Sequence, residues 1–432
     1  MPALGANDLF DPATIDAGAV AWVLAASALV LLMTPGVAFF YGGMVRAPHV
    51  MGMLMQNLMT MALVSVTWVV LGFTLAFGGG NGWIGDLRFL GMQSMIHQLP
   101  GFTGRLTLVI PPMLYALFQM MFAIITPALI TGATADRWKF TSLVVFMPLW
   151  SLLVYAPIAH WVFSPTGWAA RWGAADFAGG LVVHANAGAA ALAMALVLGR
   201  RRGWPRTAMR PHNLPLVVLG AALLWFGWFG FNAGSSLRAD TVAVQAFLNT
   251  NTAAAAALLA WAAVEKVRFG RPTTLGAASG ALAGLVAITP CAGYVGTLSA
   301  LVIGAISGIA CAGAVSVKMW FRLDDSLDVV GVHLVGGGLG ALALGLFASS
   351  AINPAVADGV FSGGGYGLLM RQAVTLAVVV LYSFGVTYAI GKFLDRVLGN
   401  RVTALEEEQG LDVTQHGERG YELGGTVHDA RC

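Results

Sequence analysis

Charge is scarce in this chain. Asp, Glu, Lys and Arg together make up only 10% of its 432 residues, where a soluble globular domain carries roughly 25%. So few charges cannot cover the surfaces of the several water-soluble domains that this length would otherwise allow. Cysteine is nearly missing too. Cys291, Cys311 and Cys432 lie far apart in sequence, which gives neither a disulfide framework nor a cysteine-based metal motif. The formal net charge of +3 is too small to imply a nucleic-acid partner. The first residues, M-P-A-L-G-A-N-D-L-F-D-P, lack a basic n-region and carry Asp8, Asp11 and, shortly after, Asp16 instead. No cleaved signal peptide is therefore expected.

Apolar residues fill the space that charge leaves. They make up 58% of the chain and gather in runs of membrane-crossing length, roughly 20 helical residues each. The expected fold is an all-α polytopic membrane protein. Eleven spans fall at about 19–44, 50–77, 107–133, 141–163, 178–199, 214–236, 240–263, 274–290, 294–317, 329–349 and 368–394, with 274–290 the short one. The expected organisation is an N-terminal segment 1–18, a membrane domain 19–396 and a polar tail 397–432. The tail's composition favours disorder over docking.

The basic residues orient these spans. Arg46, Arg137, Lys139, Arg200, Arg201, Arg202, Arg206, Arg210, Lys266, Arg268, Arg271, Lys318, Arg322 and the basic residues after span eleven share one side. Of the 23 Lys and Arg, only Arg88, Arg105, Arg171, Arg238 and Arg371 fall on the other. The bias places the N-terminus outside and the C-terminus in the cytoplasm.

One stretch repeats. Asp176–His184 reads D-F-A-G-G-L-V-V-H, and Asp325–His333 reads D-S-L-D-V-V-G-V-H. Each heads an apolar span, where an aspartate and a histidine are costly and call for a functional explanation. Spans 1–5 and 6–10 read as an inverted pair, with span 11 added, and a site between the halves is the usual consequence. Eight helical residues rise about 12 Å, which would bring His184 and His333 to mid-depth from opposite mouths.

Two matched histidines outweigh the alternative of a packing role for each. An imidazole can donate through one nitrogen and accept through the other, and it titrates near neutrality. That suits a small substrate that itself gains or loses a proton. His160, at the end of span four, reads as a satisfied interface residue. Asp176, Asp325 and Asp328 read as helix caps, structural at Asp325 and Asp328. Asp176 at a mouth would also raise the local concentration of a cation. Aromatic residues flank these positions: Phe118 and Phe122 in span three, Trp228, Phe229 and Phe231 in span six, beside Asn232 and Ser235. Phenyl rings can close a pore and attract cations by their faces. Asn353-Pro354-Ala355 is a single water-channel-like tripeptide in a loop, and reads as a turn. Glycines four apart, such as Gly304 and Gly308, read as close helix contacts.

Across nearly its whole length the sequence resembles the ammonium transporter (Amt/Mep/Rh) family, and its bacterial Amt branch in particular. The resemblance rests on D-F-A-G-G-x-V-V-H at 176–184, W-F-G-F-N-A-G-S at 228–235, A-D-R at 135–137, T-P-C-A-G-Y at 289–294, D-D-x-x-D-V-x-G-V-H at 324–333 and G-L-D-V-T-Q-H-G-E at 410–418. It implies a homotrimer in the cell inner membrane, each subunit with its own pore for ammonium or ammonia, and methylammonium as an analogue. It implies that His184 and His333 are the twin histidines of the pore, and that Phe122 and Phe231 form the stacked gate with Phe118 beside it. Ser235 would accept from the ammonium ion in an outer vestibule that Asp176 and Trp228 adjoin. A PII-type regulatory protein would plug the inner mouth. The family usually places tryptophan at the vestibule end of span four. Here A-H-W-V is followed by Phe163, with Trp161 and Trp168 as alternative faces. No cofactor, metal or enzymatic activity is expected. The alternatives are an ammonium sensor with little transport and an intramembrane enzyme. The second is weak, because no ligand set converges.

Overall fold

The computed structural model describes residues 9–421; Asp8, Arg431, Cys432 and the rest of the tail's end lie outside the described residues. Ten helices are long and apolar enough to cross a membrane among the described residues. They are α1 (Ala17–Met44), α2 (Ala47–Phe77), α3 (Pro112–Ala133), α4 (Phe140–Trp172), α5 (Gly180–Leu198), α6 (Leu214–Gly234), α7 (Thr241–Phe269), α9 (Thr297–Val317), α10 (Val330–Phe347) and α11 (Gly367–Val397). Between them lies the apolar helix α8 (Thr274–Ile288), whose 15 residues reach only about 22 Å at 1.5 Å per residue. The fold is that of an all-helical, multi-pass membrane protein.

Short polar residues start these helices. The carboxylate of Asp16 accepts from Ala19 N at 2.8 Å to open α1. Asn213 opens α6, Asp240 opens α7 and Thr273 opens α8 in the same way. Each satisfies backbone N–H groups that the first turn of a helix leaves free. Helices α1 and α6 pack along their length, as do α7, α8 and α9. At Gly304 and Gly308 a Cβ atom would run into the α7 backbone at Ala253 and Ala257, so the four-residue glycine spacing does set a close helix contact.

The bundle has two unlike ends. At one, the segments before α1 and α3, the end of α4 and the loops after α2, α8 and α10 bond to one another, for example Asp16 N to Val109 O, Trp168 N to Gly82 O and Ser349 N to Tyr294 O. At the other, basic residues and the tail interlock. The expectation of a disordered tail fails for residues 400–421. Two short helices, α12 (Ala404–Gln409) and α13 (Leu411–His416), dock on the start of α2. Asp412 accepts from Gly52 N at 2.8 Å, and Glu407 accepts from Arg202 N at 2.6 Å and Arg401 Nη2 at 2.7 Å. Composition misjudged this segment because its partners are polar groups of the membrane domain, not an apolar core of its own.

Candidate functional site

A cavity of about 300 Å³ opens at the loop end of the bundle, walled by Tyr115, Gln119, Phe122, Phe163, Asp176 and Ser235 among others. Phe118 lies on the same wall. Ser235 follows the last turn of α6, and its hydroxyl donates to Phe231 O at 2.8 Å. The oxygen lone pairs stay available to a donor. Phe163 lines the cavity, with its ring 6.4 Å from that of Phe122. Trp161 and Trp168, the other candidates for that place, instead pack with Trp83 at centroid distances of 5.7 and 5.8 Å. Gln119 and Tyr115 were not singled out from sequence. A polar residue one helical turn from an aromatic one on α3 was the available signal.

The floor of the cavity is aromatic. Phe118 and Phe122 meet edge to face at 4.9 Å, and Phe122 and Phe231 lie 4.4 Å apart and tilted by 41°. Phe118, Phe122 and Phe231 are all fully buried, so the rings close the way down. Below them, Phe231 stacks on His184 at 5.9 Å, and His184 stacks on His333 at 5.3 Å. Their Nδ1 atoms face each other at 3.2 Å. Nε2 of His184 is buried without a hydrogen-bond partner among the described residues. Trp228 does not wall the cavity. It stacks on His184 at 5.3 Å and lies 5.5 Å from Phe231, and its indole N–H donates to the Thr289 hydroxyl at 2.9 Å.

The two repeated stretches explain the histidine placement. Asp176 accepts four backbone N–H groups: Gly179 and Gly180 on Oδ1 at 2.8 and 2.7 Å, Leu181 and Val182 on Oδ2 at 2.8 and 3.1 Å. It is a helix cap before anything else, both of its oxygens spent on backbone N–H groups. Asp325 does the same for Val329 N at 3.1 Å and Val330 N at 2.7 Å. Asp328 sits at a left-handed turn (φ 65°) and pairs with Lys318, whose ammonium also reaches Asp325 O at 2.9 Å. The chain between carboxylate and histidine is not continuous helix, contrary to the expected 12 Å rise. Helix begins only at Gly180 in α5 and at the very start of α10.

Both histidines then fall in wide π-helical turns, Gly180–Ala185 and Val330–Leu334. Such turns insert one extra residue into an α-helix and cluster at functional sites. Neither was legible from spacing, since a π turn has no residue signature. His160, expected at an interface, is buried instead. Its ring nitrogens lie 2.8 Å from Ala76 O and 2.6 Å from Asn81 O, tying α4 to the end of α2 and the loop that follows it. Asn353-Pro354-Ala355 is a turn, with Ala355 N on the Asn353 side chain at 3.0 Å.

At the tail end a buried ion network closes the bundle. Asp136 takes Arg46 at 3.2 Å and Arg201 at 3.5 Å, and Arg201 also holds Asp324 at 2.8 Å. Burial alone would raise the Asp136 carboxyl; His49, Arg201 and Arg46 around it outweigh burial and hold it below the ordinary range. Burial is likewise outweighed at Asp324, by Arg201 and Arg137. Arg137 donates to Ser326 Oγ at 2.6 Å and to Asp324 O at 2.8 Å. Among the described residues no three His, Cys, Asp or Glu side chains converge as a metal-holding set.

Comparison with known proteins bears on the family and the fold. A sequence model of the Ammonium Transporter Family matches residues 21–421. A protein of Mycobacterium tuberculosis named ammonium transporter is 49% identical over 94% of this chain and 91% of its own length. The crystal structure of Candida albicans Mep2 superposes with a TM-score of 0.86 at 34% identity, covering 92% of this chain and 89% of that one. A structure described as a sensor Amt protein superposes with a TM-score of 0.84 at 31% identity, covering 92% and 98%.

Proposed function

The chain belongs to the ammonium transporter family, and from that premise we propose that it takes up NH4+ at the cavity and passes ammonia along the phenylalanine–histidine column. The observation that carries this reading is the unbroken stack Phe122, Phe231, His184, His333 beneath a polar-rimmed cavity. In it, Ser235 Oγ accepts one ammonium N–H. The faces of Phe163 and Phe122 attract the remaining charge. The Asp176 carboxylate, spent on backbone N–H groups, adds a negative field at the same mouth.

An intact ion meets a large desolvation cost in the apolar column. Transfer of one proton from NH4+ to water in the open cavity leaves NH3, which the column accepts. Potassium has no proton to lose and no hydrogen bond to donate, so it is refused on both counts. The histidine pair presents a donor and an acceptor to ammonia, or a relay to its proton.

The remaining parts of the reading rest on the family and on the charge bias. The loop end faces outward and the tail end the cytoplasm of a cell inner membrane. Three copies assemble, each with its own pore. A PII-type protein closes the basic end. The test is reconstitution in proteoliposomes, with methylammonium uptake and ammonium-evoked current measured together. Uptake with about one charge per ammonium means the proton follows; uptake without current means it stays outside. The absence of both uptake and current would overturn transport.

A second reading has specific support: the 31% identity to a sensor Amt protein, together with Phe163 where tryptophan is usual. An ammonium sensor would bind ammonium in calorimetry and carry none. The intact column favours the transporter.

A further inference from the structure

A cluster of charge lies apart from the pore, where the tail docks. At its centre is His49, in the turn that opens α2 and only 1% exposed. Its Nε2 lies 2.8 Å from Arg46 Nη2, and its Nδ1 lies 3.3 Å from Leu411 N, at the first residue of α13. Both ring nitrogens therefore meet donors. A neutral imidazole has a lone pair on one nitrogen and satisfies one of these donors, whichever tautomer it takes. A protonated imidazole has no lone pair and opposes both. It would also set a second positive charge 2.8 Å from the Arg46 guanidinium, and like charges that close are unfavourable.

The surrounding charges do not rescue the protonated ring. Asp136, in the loop after α3, is the one carboxylate within 4 Å of it among the described residues, at 3.9 Å, which is beyond hydrogen-bond reach. That carboxylate is already shared by Arg46 and Arg201. On the tail, Glu407 is held by Arg401 and by Arg202 N, and Asp412 by Gly52 N. Arg46 carries the effect outward, since its Nη2 also donates to Glu407 O at 3.2 Å and its Nε to Asp136 at 3.2 Å. Two other histidines near the tail are placed differently. His212 has Val45 O 2.8 Å from Nδ1 and the Tyr421 hydroxyl 2.9 Å from Nε2, and a hydroxyl accepts as readily as it donates. His416 meets the Phe140 ring edge to face at 4.7 Å.

We propose that His49 is a proton-operated latch on the tail. With the ring neutral, α12 and α13 stay docked on α2. With the ring protonated, Arg46 and Leu411 lose their acceptor and the tail lets go. Arg46, Asp136 and Arg201 also wall a cavity of about 250 Å³ together with Ser326, Leu327 and Asp328, just ahead of α10. A proton taken up at the tail end thus has a route to the start of the helix that carries His333.

The test uses the full chain in detergent. Amide hydrogen exchange of residues 411–417 is followed by mass spectrometry at about pH 7.5 and about pH 5.5, on either side of the ordinary histidine value of about 6.5. Each rate is divided by that of the free peptide at the same pH, which gives a protection factor. A ring freed from its donors takes up the proton near its ordinary value, so acidification across this range raises the released-to-docked ratio by up to about tenfold. Wild-type protection should accordingly fall by about three- to tenfold. His49→Asn, which keeps an acceptor and has no proton to gain, should show no such fall, and His416→Asn should fall like wild type. The readout is the change with pH, so a variant that starts from lower protection still decides. Wild-type protection that does not change overturns the proposal. So does a fall of the same size in His49→Asn, or a fall abolished by His416→Asn. Ordinary carboxylates titrate near about 4, below this range, and the latch frees the tail alone, so the melting of the spans is not its readout.

Discussion

His184 and His333 face each other Nδ1 to Nδ1 at 3.2 Å, with ring planes within 24° of parallel. A contact of that length between two imidazole nitrogens holds one proton, so one ring donates and the other accepts. Each ring comes from its own half of the chain, on its own π turn, under its own aspartate cap.

Removing one ring tests the pair. His184→Ala leaves Nδ1 of His333 buried without its partner, a loss worth about 1–3 kcal/mol. Methylammonium uptake into proteoliposomes should fall by about tenfold or more, while the trimmed protein still melts cooperatively. A well-folded variant that transports at the wild-type rate would falsify the pore assignment.

Asp176 should behave as a cap first. In Asp176→Asn the remaining oxygen can still serve two of the four N–H groups, but the amide NH2 then confronts the other two. The expected cost is about 2–4 kcal/mol for Asn and more for Ala, which leaves all four donors unsatisfied. Thermal melts in detergent read this directly. If Asp176→Asn melts like wild type, the carboxylate's main work is on the cation and not on α5.

Phe163 lines the cavity proposed as the entry site. Tryptophan offers a better face to a cation, a gain that is only part of the about 0.5–2 kcal/mol the whole contact is worth. Phe163→Trp should lower the half-saturating methylammonium concentration by about two- to fivefold, and Phe163→Ala should raise it. An unchanged half-saturation in both variants would remove Phe163 from the site.

The tail-end network sets an acid limit. Asp136 and Asp324 have carboxyls held below the ordinary value, about 3.9 for an aspartate. Such groups add stability that is complete above that value and lost as the pH falls through their lower, folded values. Melting temperature should therefore hold from neutral pH to about 4 and drop below it. Asp136→Asn should be less stable at pH 7 by about 3–5 kcal/mol, the cost of breaking a buried pair, and should show a shallower drop in acid. An equally steep drop in that variant would place the acid limit elsewhere.

Docking of the tail hinges on Gly410. Its φ of 102° suits only glycine, and a Cβ there would meet Pro48 O. Gly410→Val should release α12 and α13 at a cost of about 1–3 kcal/mol. Limited proteolysis should then cut after residue 400 much faster than in wild type. Equal resistance of the two proteins would mean that the tail holds without this turn.

Much of the fold was open to reading because hydrocarbon imposes a simple rule. A span must be apolar for its whole length, so scarcity of charge and the lengths of the runs located the ten membrane-length helices, most ends to within five residues, while α4 runs on to Trp172 and α7 to Phe269 past the expected 163 and 263. The short α8 was visible for the same reason. The candidate site was legible where cost made residues conspicuous: His184 and His333 within apolar spans, and the aspartates at their heads. Trp228 shows the limit. Its neighbours in sequence point to the cavity, yet its ring lies against His184 and Phe231, because direction around a helix is set by packing.

What the sequence by itself determined, then, was which segments leave water and which polar residues go with them, since transfer energy is a property of each residue. What only the tertiary structure decided was where those polar groups point. The π turns that aim His184 at His333, the four N–H groups that consume Asp176, and the docking of residues 400–421 all depend on hydrogen-bond partners brought from elsewhere in the chain. Hydrogen bonds are directional and short, and no local pattern of residues encodes a partner that only folding supplies.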